Sequence, residues 1–426
     1  MRKFLSLVLS LCMLFSVCAA GALADDKTVL TVWCWDDSFN GASMREAAKL
    51  YTAAHPEVEI NVEIVSDITM VFSSAVISQQ YDLLPDIILT QDRDLDKNVN
   101  LYGVYADLSD SGIDFSKFSP YKVKAASSGG KVYGVPYDNG VASFVYRTDL
   151  LEQAGYTAED ITDITWDRFI EIGTDVKEKL GIPMLKIRTD AGFTLLEMMM
   201  QSAGSWYFDE DNNITLEDNS VLLEAIDYYL EMYENGIVME VPDGEQYNSA
   251  FYDGSVMGTI QAAWVLTTVK QGTDFSGKWA ITNIPKLVKA EGATNYSASG
   301  GCNWTVLETS PNKDVAIDFL KQTVGGGEFA DDFYSAALDV SVVIGSYLPA
   351  IENDSYKQNV EYFSNLPIYS TLVDFSSEVP EIALGWYTTE CRTAIASAIA
   401  SVHAGASVDA ALKEMHANIE FQMDQY

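Results

Sequence analysis

The alternation of short apolar runs with amphipathic stretches in the first hundred residues leaves this chain few folds to choose from. Thr28 to Trp33 is a β-favouring run, and Ala42 to Ala54 carries Met44, Ala47, Ala48 and Tyr51 at helical spacing. Val58 to Val65 alternates, and Pro85-Asp86-Ile87-Ile88-Leu89 is short and nearly all apolar, as a strand covered on both faces must be. Strand, helix, strand, helix, strand predicts a doubly wound α/β sheet, which binds its ligands beyond the carboxyl ends of its strands. The residues at those ends are polar and aromatic: Trp35, Asp36, Asp37 and Asn40 after the first strand, Asp92 and Arg93 after the third.

With 426 residues the chain exceeds what one core usually serves, so two lobes are expected. The stretch Lys131–Tyr156 is where it would cross between them. Val141 to Tyr146 is an apolar strand entered through a Gly/Pro/Asp/Asn turn and left through Arg147, Thr148 and Asp149 into a helix. The entry turn presents Tyr137, Asp138 and Asn139 at the seam. A helix-rich second lobe follows, with Thr165-Trp166-Asp167 opening one helix and a Gly-rich strand ending at Trp264. Trp279 to Ile284 and Cys302 to Leu307 read as strands returning to the first lobe. The expected division is a leader at 1–24, a first lobe of 25–138 plus 279–340, and a second of 139–278 plus 341–426.

Arg2 and Lys3 precede an apolar run from Phe4 to about Ala22, and Ala22-Leu23-Ala24 is a small-x-small cleavage pattern. Residues 1–24 therefore read as a secretory signal peptide of an exported protein, the run being short and interrupted for a spanning helix. Cys18 leaves a lipid anchor open, although Val17 is bulky where a small residue is expected. Losing the leader leaves 24 basic against 62 acidic side chains, a net charge of −38. Such a chain is repelled by nucleic acid and anionic membranes, which excludes both as partners. Cys34, Cys302 and Cys391 remain, with no metal-site spacing; Cys34 and Cys302 read either as a pair or as buried thiols. Three scattered histidines supply neither a metal site nor a triad, and no cofactor motif is present.

Several motifs in fixed order then carry a resemblance: TVWCWDDSFN, LLPDIILTQDR, YGVPYDNGVASFVYRTDLLEQAG, the Gly254 to Trp264 segment, SASGGCNWTVLETSPNKDVAIDFLKQ, and LGWYTTECRTAI followed by GASVDAALKEM. Together they resemble the extracellular solute-binding proteins of carbohydrate ABC importers, the maltose-binding-protein-like family. The resemblance implies a two-lobed, type II periplasmic-binding-protein-like α/β fold, each lobe a sheet flanked by helices, closing as a monomer on a carbohydrate and delivering it to permease subunits. It implies no catalysis. Carried over, Asp37 matches a sugar-binding acid, Asp92 and Arg93 an Asp-Arg pair after the Pro-Asp strand, Trp264 a ring-stacking tryptophan, and Trp386 with Tyr387 a late aromatic pair. Gly140 departs from the pattern, which has an acid there; Asp138 and Asn139 stand beside it.

Sugar chemistry makes these residue types intelligible. A pyranose has apolar faces that pack on aromatic rings and a belt of hydroxyls that planar Asp, Asn, Gln and Arg side chains must meet. Trp35, Tyr137, Trp264, Trp304 and Trp386 each sit beside such a group or a glycine, although each alone also reads as core. In Gly300-Gly301-Cys302-Asn303 the glycines Gly300 and Gly301 serve a tight turn or let backbone amides approach a hydroxyl closely, with Asn303 beside them. Two other readings stay open: a different solute such as a polyamine, if carboxylates crowd the cleft, and a secreted glycoside hydrolase, which needs two carboxylates held across the scissile bond.

Overall fold

The computed structural model describes residues 27–189 and 193–424; the expected leader, its cleavage pattern and Cys18 lie outside them. Two five-stranded sheets organise the protein. In chain order their strands are β1 (Thr28–Cys34), β2 (Val58–Ile64), β3 (Ile87–Gln91), β4 (Gly134–Asp138), β5 (Ala142–Arg147), β6 (Leu185–Arg188), β7 (Val238–Val241), β8 (Gly258–Ala262), β9 (Trp279–Thr282) and β10 (Cys302–Val306). The first sheet has the order β2-β1-β3-β10-β4 and the second β9-β5-β8-β6-β7. In the first, β1 runs parallel to both β2 and β3, the doubly wound pattern, and β10 is antiparallel to its two neighbours.

The helices that position the site are α1 (Ala42–Ala54), α2 (Ile68–Ile77), α3 (Asp92–Tyr102), α4 (Pro120–Ala125), α5 (Trp166–Leu180), α6 (Thr194–Gln201), α7 (Ala330–Ser341) and α8 (Thr388–His403). Their ends follow local chemistry. Thr165 Oγ1 accepts the Arg168 amide to start α5, and Gly103 in the left-handed region closes α3. The apolar face of α1, with Met44, Ala47 and Tyr51, is buried and packs against α7. A separate core in the second half gathers Trp166, Phe169, Leu196 and Tyr229.

The crossing is where the sequence places it. β4 belongs to the first sheet and β5 to the second, so Asn139, Gly140 and Val141 alone carry the chain across. Two further segments lie against this one. Val141 bridges to Ala298, and the Ser299 amide donates to Gly140 O at 2.7 Å; Asp138 bridges to Gly345, and the Asn139 amide donates to Ile344 O at 2.9 Å. Gly140 has φ +56°, and a Cβ there would stand 2.5 Å from Gly300 O, so only glycine lets the strands approach.

Two expectations about the chain's path are corrected. Trp279–Thr282 pairs antiparallel with β5 and stays in the second sheet; its Trp279 packs on Phe251 of that half. The return to the first sheet comes at β10. The segment after residue 340 also remains with the first half for a while, because Tyr347 stacks on Tyr334 and packs against Phe118. A run of apolar residues identifies a strand, but not which of two apolar sheets it joins.

Candidate functional site

The two halves face each other across a cleft with two adjoining chambers. The larger, about 490 Å³, is lined by Trp35, Asp36, Asn40, Gln91 and Asp138 from the first half and by Lys186, Arg188, Gln261 and Trp264 from the second. The smaller, about 260 Å³, takes Asp92, Asp96 and Tyr121 from the first half and Glu197, Gln201, Trp206 and Asn212 from the second. Arg93, Ser299 to Gly301 and Arg392 line both and stand between them.

The turn after β1 is shaped by Asp36. Its Oδ1 accepts the Ser38 and Phe39 amides at 2.9 and 2.6 Å, while Asn40 Oδ1 accepts the Asp36 amide at 3.1 Å. This Asx-type cap aims Trp35 and Asp36 into the larger chamber and turns Asp37 outward, where it pairs with Arg45. Asp37 therefore does not line either chamber; its neighbour Asp36 does.

Beneath the cleft lies a buried ionic cluster. Lys122, wholly buried on α4, donates to Asp92 Oδ1 and Oδ2 at 2.6 and 2.5 Å, and Asn303 Nδ2 donates to Asp92 Oδ1 at 2.7 Å. Asp138, buried at the end of β4, accepts the Cys302 amide at 2.9 Å. Burial pushes the Asp138 carboxyl up to about 6, with the Asp92 charge adding to the rise and Lys122 opposing it. Gly301, at φ +131°, lies on this cluster, and a Cβ there would be 2.5 Å from Lys122 Nζ.

On the opposite wall, α6 is an apolar helix whose Leu195, Leu196, Met198, Met199 and Met200 are all buried. Glu197 is buried among them, 3% exposed, and its Oε2 pairs with Arg392 Nη1 of α8. Burial raises the Glu197 pKa, and the Arg392 and Arg93 charges work against that rise. At the rim the halves touch through polar contacts. Lys97 Nζ meets Glu390 Oε1 at 2.7 Å, Trp386 Nε1 donates to Asp96 Oδ2 at 2.6 Å, and Thr389 Oγ1 links to Asp94 and Arg93 at 3.0 and 3.1 Å.

The cleft thus brings together Trp35, Asp36, Asn40, Asp92, Arg93, Asp138, Trp264 and Gly301 from the residues singled out in the sequence. The others are elsewhere. Tyr137 and Trp304 are core, packed edge-on at 5.6 Å. Asn139 locks the crossing, accepting from Ser119 and donating to Gly345 O, and Asn303 serves Asp92. Trp386 is a rim residue, and Tyr387 is buried with Lys97 Nζ 4.7 Å over its ring. Sequence reasoning missed Glu197, Arg392, Lys186, Arg188 and Gln261. An acid inside the apolar run LLEMMMQ was a visible signal for Glu197. Cys34, Cys302 and Cys391 are buried free thiols. Among the described residues no cluster of His, Cys, Asp and Glu could hold a metal ion.

Two α/β halves joined by adjoining crossing segments, with an aromatic and polar cleft between them, define a two-lobed solute-binding protein. The chain belongs to the bacterial extracellular solute-binding protein family, whose model matches residues 46–358. It is 38% identical over 400 residues to the lactose-binding protein of Rhizobium radiobacter, covering 93% of each chain. It is also 25% identical over 411 residues to the arabinooligosaccharide-binding protein of Bacillus subtilis strain 168, over 90% of both. Among solved structures, an extracellular solute-binding protein of family 1 shares the fold at TM-score 0.76 and 20% identity, over 92% of this chain and 98% of that one. The family is exported, and among the described residues no helix is long and apolar enough to cross a membrane.

Proposed function

We propose that this protein captures a sugar or oligosaccharide outside the cytoplasmic membrane and hands it to the permease subunits of an ABC importer. The single observation that carries the reading is the larger chamber, where Trp35 and Trp264 stand among the planar groups of Asn40, Gln91, Arg93 and Gln261. Rings to cover apolar sugar faces and planar groups to meet hydroxyls are what a pyranose needs. The relatives named for lactose and arabinooligosaccharides support the same ligand class.

In this reading the protein is a monomeric binder and not an enzyme, and the cleft closes by rotation about the adjoining crossings. The lobes would be 27–138 with about 302–356, and 142–297 with about 357–424. Arg93 and Lys186 on the wall of the larger chamber weigh against a polyamine. In the larger chamber Asp36 is committed to its cap and Asp138 to the Cys302 amide, which weighs against their serving as the acid and base of glycoside hydrolysis. Whether Cys18 carries a lipid is a separate matter for mass spectrometry of the exported protein.

A thermal-shift screen of the mature protein tests the reading, with mono- and oligosaccharides, polyamines, amino acids and phosphate as the panel. A ligand at 100 times its Kd stabilises the fold by about 2.7 kcal/mol, a readable rise in Tm. A shift with one sugar class is expected; shifts confined to polyamines, amino acids or phosphate would overturn it.

A further inference from the structure

The chain carries 26 basic and 62 acidic side chains, yet the larger chamber has the opposite balance. Arg93, Lys186, Arg188 and Arg392 line it against Asp36 and Asp138. The acids are already in use: Asp36 holds the amides of its own turn, and Asp138 holds the Cys302 amide beside Lys122. Arg392 is paired with Glu197, and Arg188 is engaged as well. Arg93 and Lys186 differ from these. Arg93 Nε donates to Thr389 Oγ1 at 3.1 Å and Lys186 Nζ to Ser255 Oγ at 2.7 Å, both neutral hydroxyls, and among the described residues neither cation makes an ion pair. Both are half-buried and line the chamber, Arg93 at the start of α3 in the first half and Lys186 on β6 in the second. Burial lowers the Arg93 pKa and the Arg392 charge adds to that, with Asp94 and Glu197 opposing. A cation withdrawn from water is costly without a counter-charge, and a neutral sugar supplies none.

We propose that the ligand is an acidic saccharide carrying a carboxylate, as a uronic acid does, and that Arg93 and Lys186 meet this carboxylate from the two halves. The inference rests on the sugar reading above and adds a charge to the ligand. A guanidinium is a planar fork matched to a carboxylate, and an ammonium is a point charge that completes the neutralisation. Trp35 and Trp264 remain for the ring faces, and Asn40, Gln91 and Gln261 for the hydroxyls. An anion shared by residues of both halves also ties them together, so the charge favours the closed cleft.

Isothermal titration with pairs that differ only in charge tests this: galacturonate against galactose, glucuronate against glucose, and α-1,4-digalacturonate against α-1,4-galactobiose, with galactose 6-phosphate as a second kind of anion. In wild type the uronate of at least one pair is expected to bind about 10- to 100-fold tighter than its neutral partner, the scale of hydrogen bonds to a charged group, and to lose that lead as salt is raised. Lys186→Met keeps the side-chain stem, removes the charge and should cut the lead about tenfold. If that variant fails to fold, the salt dependence of wild type decides. Neutral sugars bound as tightly as their uronates, or a uronate preference that neither salt nor Lys186→Met diminishes, overturns the inference and leaves the sugar reading intact. Galactose 6-phosphate bound tighter than every uronate overturns the carboxylate. A wild type that binds none of these sugars and none of the thermal panel overturns both readings.

Discussion

The cleft contains two buried ion pairs, and they are built to opposite specifications. Asp92, under the first half, is saturated: both oxygens take Lys122 Nζ, one also takes Asn303 Nδ2, and Gly301 presses its backbone on the pair. Glu197, in the second half, is held by Arg392, lies within reach of the buried Tyr207 hydroxyl, and belongs to a helix that walls a chamber. A buried charge whose partners are all protein groups is a structural anchor, because nothing remains for a ligand to complete. A buried charge set in a chamber wall is costly on its own and depends on the few groups around it. The comparison separates a pair sealed beneath the cleft from one set in its wall.

Removing Lys122 breaks the saturated pair and strands the Asp92 carboxylate inside the protein. Lys122→Met is expected to cost about 3–5 kcal/mol of stability, seen as a lower urea midpoint. A loss below about 1 kcal/mol would dissolve the contrast, since Asp92 would then be no anchor. Gly301→Ala attacks the same cluster from the backbone: φ +131° suits only glycine, and the methyl would collide with the Asp92 carboxylate. Strain and overpacking together predict a loss of about 2–4 kcal/mol, again in stability before affinity.

Asp138 sharpens the comparison through pH. Its carboxyl is raised from 3.8 to about 6 in the folded protein. Between these values the folded state holds a proton that the unfolded chain has released, so the contribution is fully present below about pH 4 and is lost as pH rises through about 6. Its size is about 3 kcal/mol at most. Chemical denaturation of wild type and Asp138→Asn from pH 4 to 7 checks this: the variant's stability should fall less over that range. Glu197, also raised, acts in the same direction in both proteins, so the difference between them isolates Asp138.

Much of the frame could be read from the chain, and the failures have physical causes. The alternation up to Leu89 and the crossing at residues 139–141 follow from local patterns, which is why they are where the sequence puts them. Trp304 and Trp264 were alike as tryptophans at strand ends, but β10 is an inner strand flanked by β3 and β4, and its Trp304 is fully buried. Trp264 follows β8 at a chamber wall and is 36% exposed. No local feature tells an inner strand from a strand end at a cleft. Asp36 and Asp37 differ by one step along a turn, and the cap geometry decides which faces in. Glu197 and Arg392 are 195 residues apart, and only the tertiary structure makes them a pair.

Trp264 supplies the next test in order of size. Trp264→Ala should weaken sugar binding by about 1–3 kcal/mol, the scale of a buried aromatic contact, with Tm nearly unchanged because the ring is only partly packed. A collapse in Tm with intact affinity would move Trp264 to the anchoring side of the comparison, beside Trp304.

The smallest expected effect concerns the rim, where charges are paired across the halves without being deeply buried. Lys97 and Glu390 stand 2.7 Å apart, at 20% and 26% side-chain exposure, and Lys97 lines neither chamber. The pair can therefore act on binding only through the equilibrium between open and closed clefts. Lys97→Met keeps the side-chain stem over Tyr387 and removes the charge, at a cost near the upper end for exposed pairs, about 0.5–1 kcal/mol. On the proposed hinge closure, a contact made only with the cleft shut predicts that ligand release quickens about two- to fivefold while association barely changes, as differential stabilisation of one state requires. Stopped-flow release of bound sugar measures it, and added salt should bring wild type toward the variant by screening the same pair. A variant that instead loses on-rate would show that the rim guides encounter and does not act through the equilibrium between open and closed clefts.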